Sequence, residues 1–299
     1  MQIGLGIPST GAWAQPSYQV HLARLAEDLN YHSVWVLQRL VNPAGSSDTT
    51  YTSVPDPLTT LAYLAARTDR VRLGVAIVNM PFISPALLAK QAITIDHLSG
   101  GRLDLGLGNG WMRQEFAVSG VDMARRGARA EEYLSVLHSL FTDEVSSFDG
   151  EFYSFPPVRL EPKPVQQPGP PILLGGHSEA NLRRVGRRAD GWISASGADL
   201  STLGDSIDIV KQAAVEAGRD PQALRFICRG ALGVGEAGED RRLLHGSLDQ
   251  VRQDLTVLAE AGVTEVFFDL NFDPRIGGPD VDPADAVREA ERILEALAP

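Results

Sequence analysis

Eight short apolar runs, each followed by a stretch of helical periodicity, restrict this chain's fold more than any other feature. The runs 'QIGLGIP', 'SVWVL', 'VRLGVAIVN', 'RLDLGLG', 'PILLGG', 'GWISAS', 'RFICRGALGV' and 'EVFFDL' start at residues 2, 33, 71, 102, 171, 191, 225 and 265. Between them lie segments such as 'PSYQVHLARLAEDLN', 'PDPLTTLAYLAARTD', 'SPALLAKQAITIDHLS' and 'SLDQVRQDLTVLAEAG', with apolar residues three or four apart and Asn, Asp or Gly at several ends. Alternation of this kind builds βα units around a parallel sheet. Eight such units predict a closed α/β barrel of the (β/α)8 type. The rival, a doubly wound open sheet, needs a dinucleotide loop after its first strand, and 'GIPSTGAWAQP' is no such loop. At 299 residues, 43% hydrophobic and 22% charged, the chain is large enough for one such barrel as a single domain, residues 1–299.

One region breaks the repeat. After the fourth strand come a helix 'ARRGARAEEYLSVLHSLFT', a hairpin 'VSSFDGEFYSF' turning at Asp149-Gly150, and the run 'PPVRLEPKPVQQPGPP'. Seven prolines between residues 156 and 171 rule out a regular helix or central strand there. The segment at about 123–170 is therefore read as an insertion in the barrel, with an ordered surface connection at its end.

The formal charge of -11 disfavours a nucleic-acid or anionic-membrane binder, because a polyanion is held by a basic stripe and the sequence has none. One cysteine, Cys228, sits in an apolar strand-like run and reads as buried filler. No His, Cys or acid spacing matches a metal site, and H-E-x-x-H, G-x-S-x-G and Walker patterns are absent. The start 'MQIGLGIP' lacks an export signal and no window reaches transmembrane length, so a cytoplasmic location is expected.

In a barrel, function belongs where the βα loops converge, at the C-terminal ends of the strands. That rule selects Ile7-Pro8, Gln38 and Arg39, Asn79, Asn109 to Trp111, Gly175 to Ser178, Ser194 to Ser196, Arg229, and Asp269 to Asn271. The stretch 'LDLGLGNGWMRQEF' mimics a dinucleotide fingerprint, but the place of its last glycine is held by Trp111. What remains is a βα loop that lets a ligand approach the backbone closely. In 'PPILLGGHSEANLRR', Gly175 and Gly176 precede Ser178, a candidate N-cap. Free N–H groups and the helix dipole there suit a phosphate, with His177 as a further donor; the alternative is an ordinary tight turn. His21, His138, His32 and His97 read as structural, while His245 is open to either reading. Asp96 and Arg102 read as tying a helix end to a strand.

The run from 'DPLTTLAYLAARTDRVRLGVAIVNMPF' through 'LSGGRLDLGLGNGWMRQEF' to 'ARRGARAEEYL' resembles the luciferase-like monooxygenase superfamily, most closely its actinobacterial branch of deazaflavin-dependent oxidoreductases. 'FDGEFYSF', 'PKPVQQPGPPILLGG' and 'RADGW' follow in the same order, so the likeness covers most of residues 1–200. It implies a TIM barrel with an insertion after the fourth strand. It also implies coenzyme F420, or alternatively FMN, at the strand ends, with the cofactor ring supplying most of the chemistry. By the same resemblance Gly175, Gly176, His177 and Ser178 lie near the cofactor phosphate, and Ala76-Ile77 marks a bulge with a non-proline cis peptide behind the ring. Asn109 and Gly110 would also contact the cofactor, while Gln38, Arg39, Asn79 and Trp111 would orient ring and substrate.

The chain departs from many deazaflavin-using relatives in one respect. Where these read Asp-His after 'SVWV', it has Leu37, Gln38 and Arg39. A guanidinium binds an anion or polarises a carbonyl but does not serve as a general base near neutrality. Arg39 is therefore expected either to contact an acidic cofactor or substrate, or to form a surface ion pair. The resulting expectation is hydride transfer between the deazaflavin and a small organic substrate. Its alternatives are an FMN-dependent monooxygenase served by a separate reductase and a non-catalytic flavin-binding barrel. A homodimer is expected, with neither nucleic acid nor membrane as partner.

Overall fold

The structure, a computed structural model, describes residues 1–46, 50–238 and 240–299. In chain order, β1 (Gln2–Gly6) leads to α1 (Pro16–Asp28), β2 (Ser33–Val36) to α2 (Pro57–Ala65), and β3 (Arg72–Asn79) to α3 (Pro85–Ser99). β4 (Leu103–Gly108) is followed by α4 (Arg113–Val118), α5 (Arg126–Thr142) and the antiparallel hairpin β5 (Ser146–Asp149) and β6 (Ser154–Val158). The repeat then resumes with β7 (Ile172–Gly175), α6 (Glu179–Arg188), β8 (Gly191–Ile193) and α7 (Leu203–Glu216). β9 (Arg225–Ala231), a short parallel pair β10 (Gly233–Val234) and β11 (His245–Gly246), α8 (Leu248–Glu260), β12 (Glu265–Asp269) and α9 (Pro283–Ala296) complete the chain. Strands β1, β2, β3, β4, β7, β8, β9 and β12 close into one parallel barrel, the last pairing with the first. The expected TIM barrel, interrupted after its fourth strand, is what the chain forms.

Local chemistry sets where the helices begin and end. Asp56 caps α2 by accepting from Thr59 N–H at 2.8 Å, with Pro57 pre-set in the first turn. Ser247 and Gln250 form a reciprocal capping box on α8. α3 stops at Gly100, whose φ of 66° is the left-handed cap that glycine takes without a Cβ clash.

The interior of the barrel is filled in layers. At the N-terminal end, Asp104 on β4 accepts paired bonds from Arg72 (2.9 and 2.6 Å) and from Arg225 (2.7 and 2.9 Å). Arg225 also reaches Glu265 at 2.9 Å, and Glu265 accepts from Ser33 Oγ and Trp35 Nε1. Two arginines against two carboxylates leave this floor neutral and satisfied, the condition under which buried charges are tolerated. Above it Trp35 stacks on Phe267 with ring centroids 5.1 Å apart, among Leu173, Ile193 and Ile227.

The insertion is bound to the barrel by named contacts. Glu132 on α5 accepts from the amides of Glu151, Phe152 and Tyr153 and so fixes the hairpin loop, which turns through residues 150–153. Tyr133 and Tyr153 pack edge to face beneath it. In the proline-rich connection Gln166 donates to Asp96 Oδ1 and to Leu103 O, and accepts from Arg72. Asp96 thus ties the end of α3 to the insertion rather than to a strand. Arg102 makes the expected helix-to-strand link, donating to Ala65 O, Thr68 O, Val71 O and Ser99 O.

Burial works to raise the pKa of the Asp104 carboxyl, but the bonds from Arg72 and Arg225 outweigh it and hold the group below its ordinary 3.8. A carboxyl depressed on folding contributes stability above its unfolded pKa and loses it as pH falls through the folded value. Asp104→Asn leaves Arg72 without a carboxylate and Arg225 with Glu265 alone, and urea unfolding at pH 7 is expected to show a loss of about 3–5 kcal/mol. The gap between wild type and variant should narrow only once pH drops below about 4. A gap that narrows instead toward alkaline pH would contradict this account.

Candidate active site

β3 is bent where it reaches the barrel mouth. Its register against β4 shifts between Val75 and Val78, and the Ala76–Ile77 peptide is cis. Arg229 on β9 donates from Nη1 to Ala76 O at 3.3 Å and from Nε to Asp269 Oδ2 at 2.7 Å. Asp269 Oδ1 accepts from Asn271, whose side chain in turn donates to Ile7 O and accepts from Ser9 N–H. One buried chain of bonds therefore joins the mouth ends of β1, β3, β9 and β12. The Ile77 side chain fills the space a Cβ on Gly108 would need, 2.2 Å from its Cδ1. Gly108 thus makes room for the bulge of β3, and with Asn109 and Gly110 it also borders the cavity at the mouth.

Gln38 Oε1 accepts from both Asn79 N–H (2.9 Å) and Asn79 Nδ2 (3.1 Å). Among the described residues Gln38 Nε2 and Asn79 Oδ1 have no protein partner, which leaves one donor and one acceptor side by side. Next to them Arg39 is buried, its side chain 6% exposed, with Nη1 3.2 Å from Glu115 Oε2. Glu115 Oε1 accepts from Leu40 N–H at 2.8 Å. The rings of Tyr51 and Trp111 cover the guanidinium at 4.3 and 5.0 Å. The ion pair considered for Arg39 does form, but beneath two aromatic rings rather than at the surface.

Opposite lies the double-glycine turn. Gly176 has φ +113°, a conformation that excludes other side chains at little strain. Gly175 O accepts from Asn181 Nδ2 and Gly176 O from Trp192 Nε1, both at 2.8 Å. With the carbonyls held, the amides of His177 and Ser178 donate to no group among the described residues. Ser178 caps α6. Arg126, at the start of α5, faces the same corner and has no ion-pair partner among the described residues. Unpaired amides, a helix N-terminus and a cation make a site for an anion.

The cavity between these walls has a volume of about 480 Å³, within the usual range for a cofactor site. Gln38, Arg39, Ala76, Ile77, Asn79, Asn109, Gly110, Trp111, Gly175, Gly176, His177 and Ser178 all line it. Ser194 to Ser196 and Arg229 do so too, while Asp269 and Asn271 stand behind them. Tyr51, Arg126 and Asn181 also belong to it and were not singled out from sequence. Arg126 lies in the basic run 'ARRGAR' and Asn181 three residues after a candidate cap, so both left a trace; Tyr51 stands in an aperiodic loop and left none. A second cleft of about 590 Å³ lies at the other end of the barrel, lined in part by Arg187, Arg188 and Arg219 and remote from the βα loops. Among the described residues no cluster of His, Cys, Asp and Glu has the makings of a metal site, and no helix is long and apolar enough to cross a membrane.

A (β/α)8 barrel with one insertion and a polar cavity at its mouth defines the class. The luciferase-like monooxygenase family matches residues 2–242, and the chain belongs to that family of flavin- and deazaflavin-dependent oxidoreductases and monooxygenases. An uncharacterized protein of Mycobacterium tuberculosis is 33% identical over 291 residues, 92% of this chain and 92% of that protein. The FMNH2-dependent dimethylsulfone monooxygenase of Pseudomonas putida is 33% identical over 206 residues, 67% of this chain and 54% of that enzyme. Among solved structures, an F420-dependent secondary alcohol dehydrogenase in complex with an F420-acetone adduct shares the fold. Its TM-score is 0.80 at 16% identity, covering 99% of this chain and 98% of that one.

Cys228 lies beside this site on β9, fully buried, and burial pushes its thiol up to about 12 despite a bond with Ser194. A thiol so placed is inert. Treatment with a chromogenic disulfide reagent at pH 8 is expected to leave the native protein unlabelled, with one equivalent reacting on denaturation; rapid native labelling would overturn the placement.

Proposed function

We propose that this protein is a hydride-transfer oxidoreductase that binds the deazaflavin coenzyme F420 at the barrel mouth and acts on a small organic substrate. One observation carries the reading: an anion corner of unpaired amides and Arg126 faces an apolar shelf, Ala76 and Ile77, across one cavity. That arrangement fits a flat ring with a phosphate-bearing arm. The shelf is backed by Gly108 and Gly175 and fixed by Arg229, and the Gln38 Nε2 and Asn79 Oδ1 pair offers a donor and an acceptor to a ring edge. When bound, the deazaflavin supplies or accepts a hydride at a ring carbon.

The protein's own part is placement. Ile77 and Ala76 support one ring face, Asn109 and Gly110 border it, and Gly176 to Ser178 with Arg126 hold the negatively charged arm. Arg129, which lies over Phe152 one turn along α5 and has no ion-pair partner among the described residues, suits a ligand whose charge continues past the first phosphate. Arg39 and Trp111 border the substrate side. A separate reductase or dehydrogenase partner would recycle the coenzyme.

A second reading, an FMN-dependent monooxygenase using reduced flavin and oxygen, is favoured by the similarity to the Pseudomonas putida enzyme. The two readings separate in solution. Fluorescence titration with F420 and with FMN is expected to show tighter binding of F420, and anaerobic turnover should proceed without oxygen uptake. Tighter FMN binding together with oxygen consumption would transfer the assignment to the monooxygenase. Arg126→Ala removes a charge-assisted bond and should weaken F420 roughly tenfold or more without lowering the melting temperature. An unchanged affinity would remove Arg126 from the anion corner.

A further inference from the structure

Arg39, on the side of the cavity away from Arg126, is a buried charged group whose bonding is left incomplete. Its Nη1 is engaged by Glu115 at 3.2 Å and by Met112 Sδ at 3.6 Å, and its two faces lie against Tyr51 and Trp111. Its Nε is buried and has no acceptor. Nη2 likewise donates to nothing among the described residues, and Nε and Nη2 share one edge of the planar group. A buried cationic donor left unpaired is costly, so an acceptor is the missing component of this arrangement.

We infer that this Nε–Nη2 edge receives the oxygen of an uncharged carbonyl substrate, and that Arg39 is the electrophilic catalytic residue in place of a histidine. The inference rests on the hydride-transfer reading above. Charge decides the substrate class. Arg39 and Glu115 already neutralise one another under two aromatic rings, so a carboxylate docked on the same edge would bring a surplus negative charge into a desolvated place. A neutral C=O brings none. Negative charge then appears on its oxygen only as hydride arrives at the carbonyl carbon, where the two N–H donors stabilise it more strongly than they did the ketone. In the balanced step hydride from the reduced coenzyme would arrive at the carbonyl carbon, the C=O π pair would move onto the oxygen held by Arg39, and a water proton would complete the alcohol, the hydroxide left behind taking the proton that the coenzyme releases on oxidation. The reverse step oxidises the alcohol. Because Nε is covered, a neighbouring group must move for the oxygen to reach it, and Trp111, 64% exposed with no partner for its indole N–H among the described residues, is the less constrained of the two rings on the guanidinium.

The test uses the full chain with a graded panel of ketones and aldehydes, cyclohexanone among them, against cyclohexanecarboxylate as the charged counterpart. Binding is read from tryptophan emission, with Trp111→Phe as the control that should abolish the change. Turnover is read from the loss of reduced F420. Arg39→Lys keeps the charge but loses the paired edge, and kcat for the best ketone is expected to fall about 10²-fold, with KM changed far less and F420 affinity intact. Since Arg39→Met alone leaves Glu115 buried and unpaired, the double variant Arg39→Met/Glu115→Gln serves as the folded counterpart and should show a similar loss. Unaltered kcat in these variants, no response to any ketone or aldehyde, or tighter Arg39-dependent binding of the carboxylate would each overturn the inference. If wild-type protein binds no F420, the proposed function falls separately, because the ketone-induced emission change can be measured on the cofactor-free chain.

Discussion

An eight-stranded parallel barrel encloses a space that side chains must fill without leaving a charge unanswered, and in this protein the Asp104 carboxylate meets that demand. It lies fully buried between the paired donors of Arg72 and Arg225, so strands β3, β4 and β9 are joined across the floor and not only along their edges. Glu265 carries the same network to β12 and, through Ser33, to β2. Backbone ladders close a barrel laterally. This network fixes it radially, and the apolar layer of Trp35, Phe267, Leu173 and Ile227 stacks on a level base.

The mouth repeats the device with a different result. Arg229 and Asp269 form the upper charge pair, but here one guanidinium nitrogen turns to the carbonyl of Ala76. The floor is satisfied by its own members together with Gln166, whereas the upper pair spends part of its bonding capacity on shaping a strand. The shelf at Ala76 and Ile77 is consequently a product of β9 and β12 as much as of β3. A site built on strands braced in this manner holds its geometry better than one built on loops.

Much of the architecture was legible in the residues. Strand starts read at 2, 33, 191, 225 and 265 coincide with the structure, and those read at 71, 102 and 171 fall one residue early. The reason is physical: the carbonyls of Arg102 and Pro171 accept from β3 and β4 just before their own ladders begin, and Val71 is held by the side chains of Glu27 and Arg102. Glycine and cap residues marked the double-glycine turn that borders the cavity in the same local way. Partners distant in sequence left no mark. Nothing in 'WVLQRL' shows that Arg39 will meet Glu115, nor in 'RFICRG' that Arg229 will bond a carbonyl on β3, because those encounters exist only after the barrel closes. The short pair β10 and β11 was also beyond reach, being two residues on each side.

The Gln166 side chain gives the insertion a role in the barrel's architecture. By touching Asp96, Leu103 and Arg72 together, it makes the proline-rich connection a keystone of the floor. A chimaera that exchanged this segment with a relative's would have to carry the matching residues of α3 and β3 along with it. The connection and the floor are thus bound to change as one module, while the loops at the opposite rim stay free to diversify.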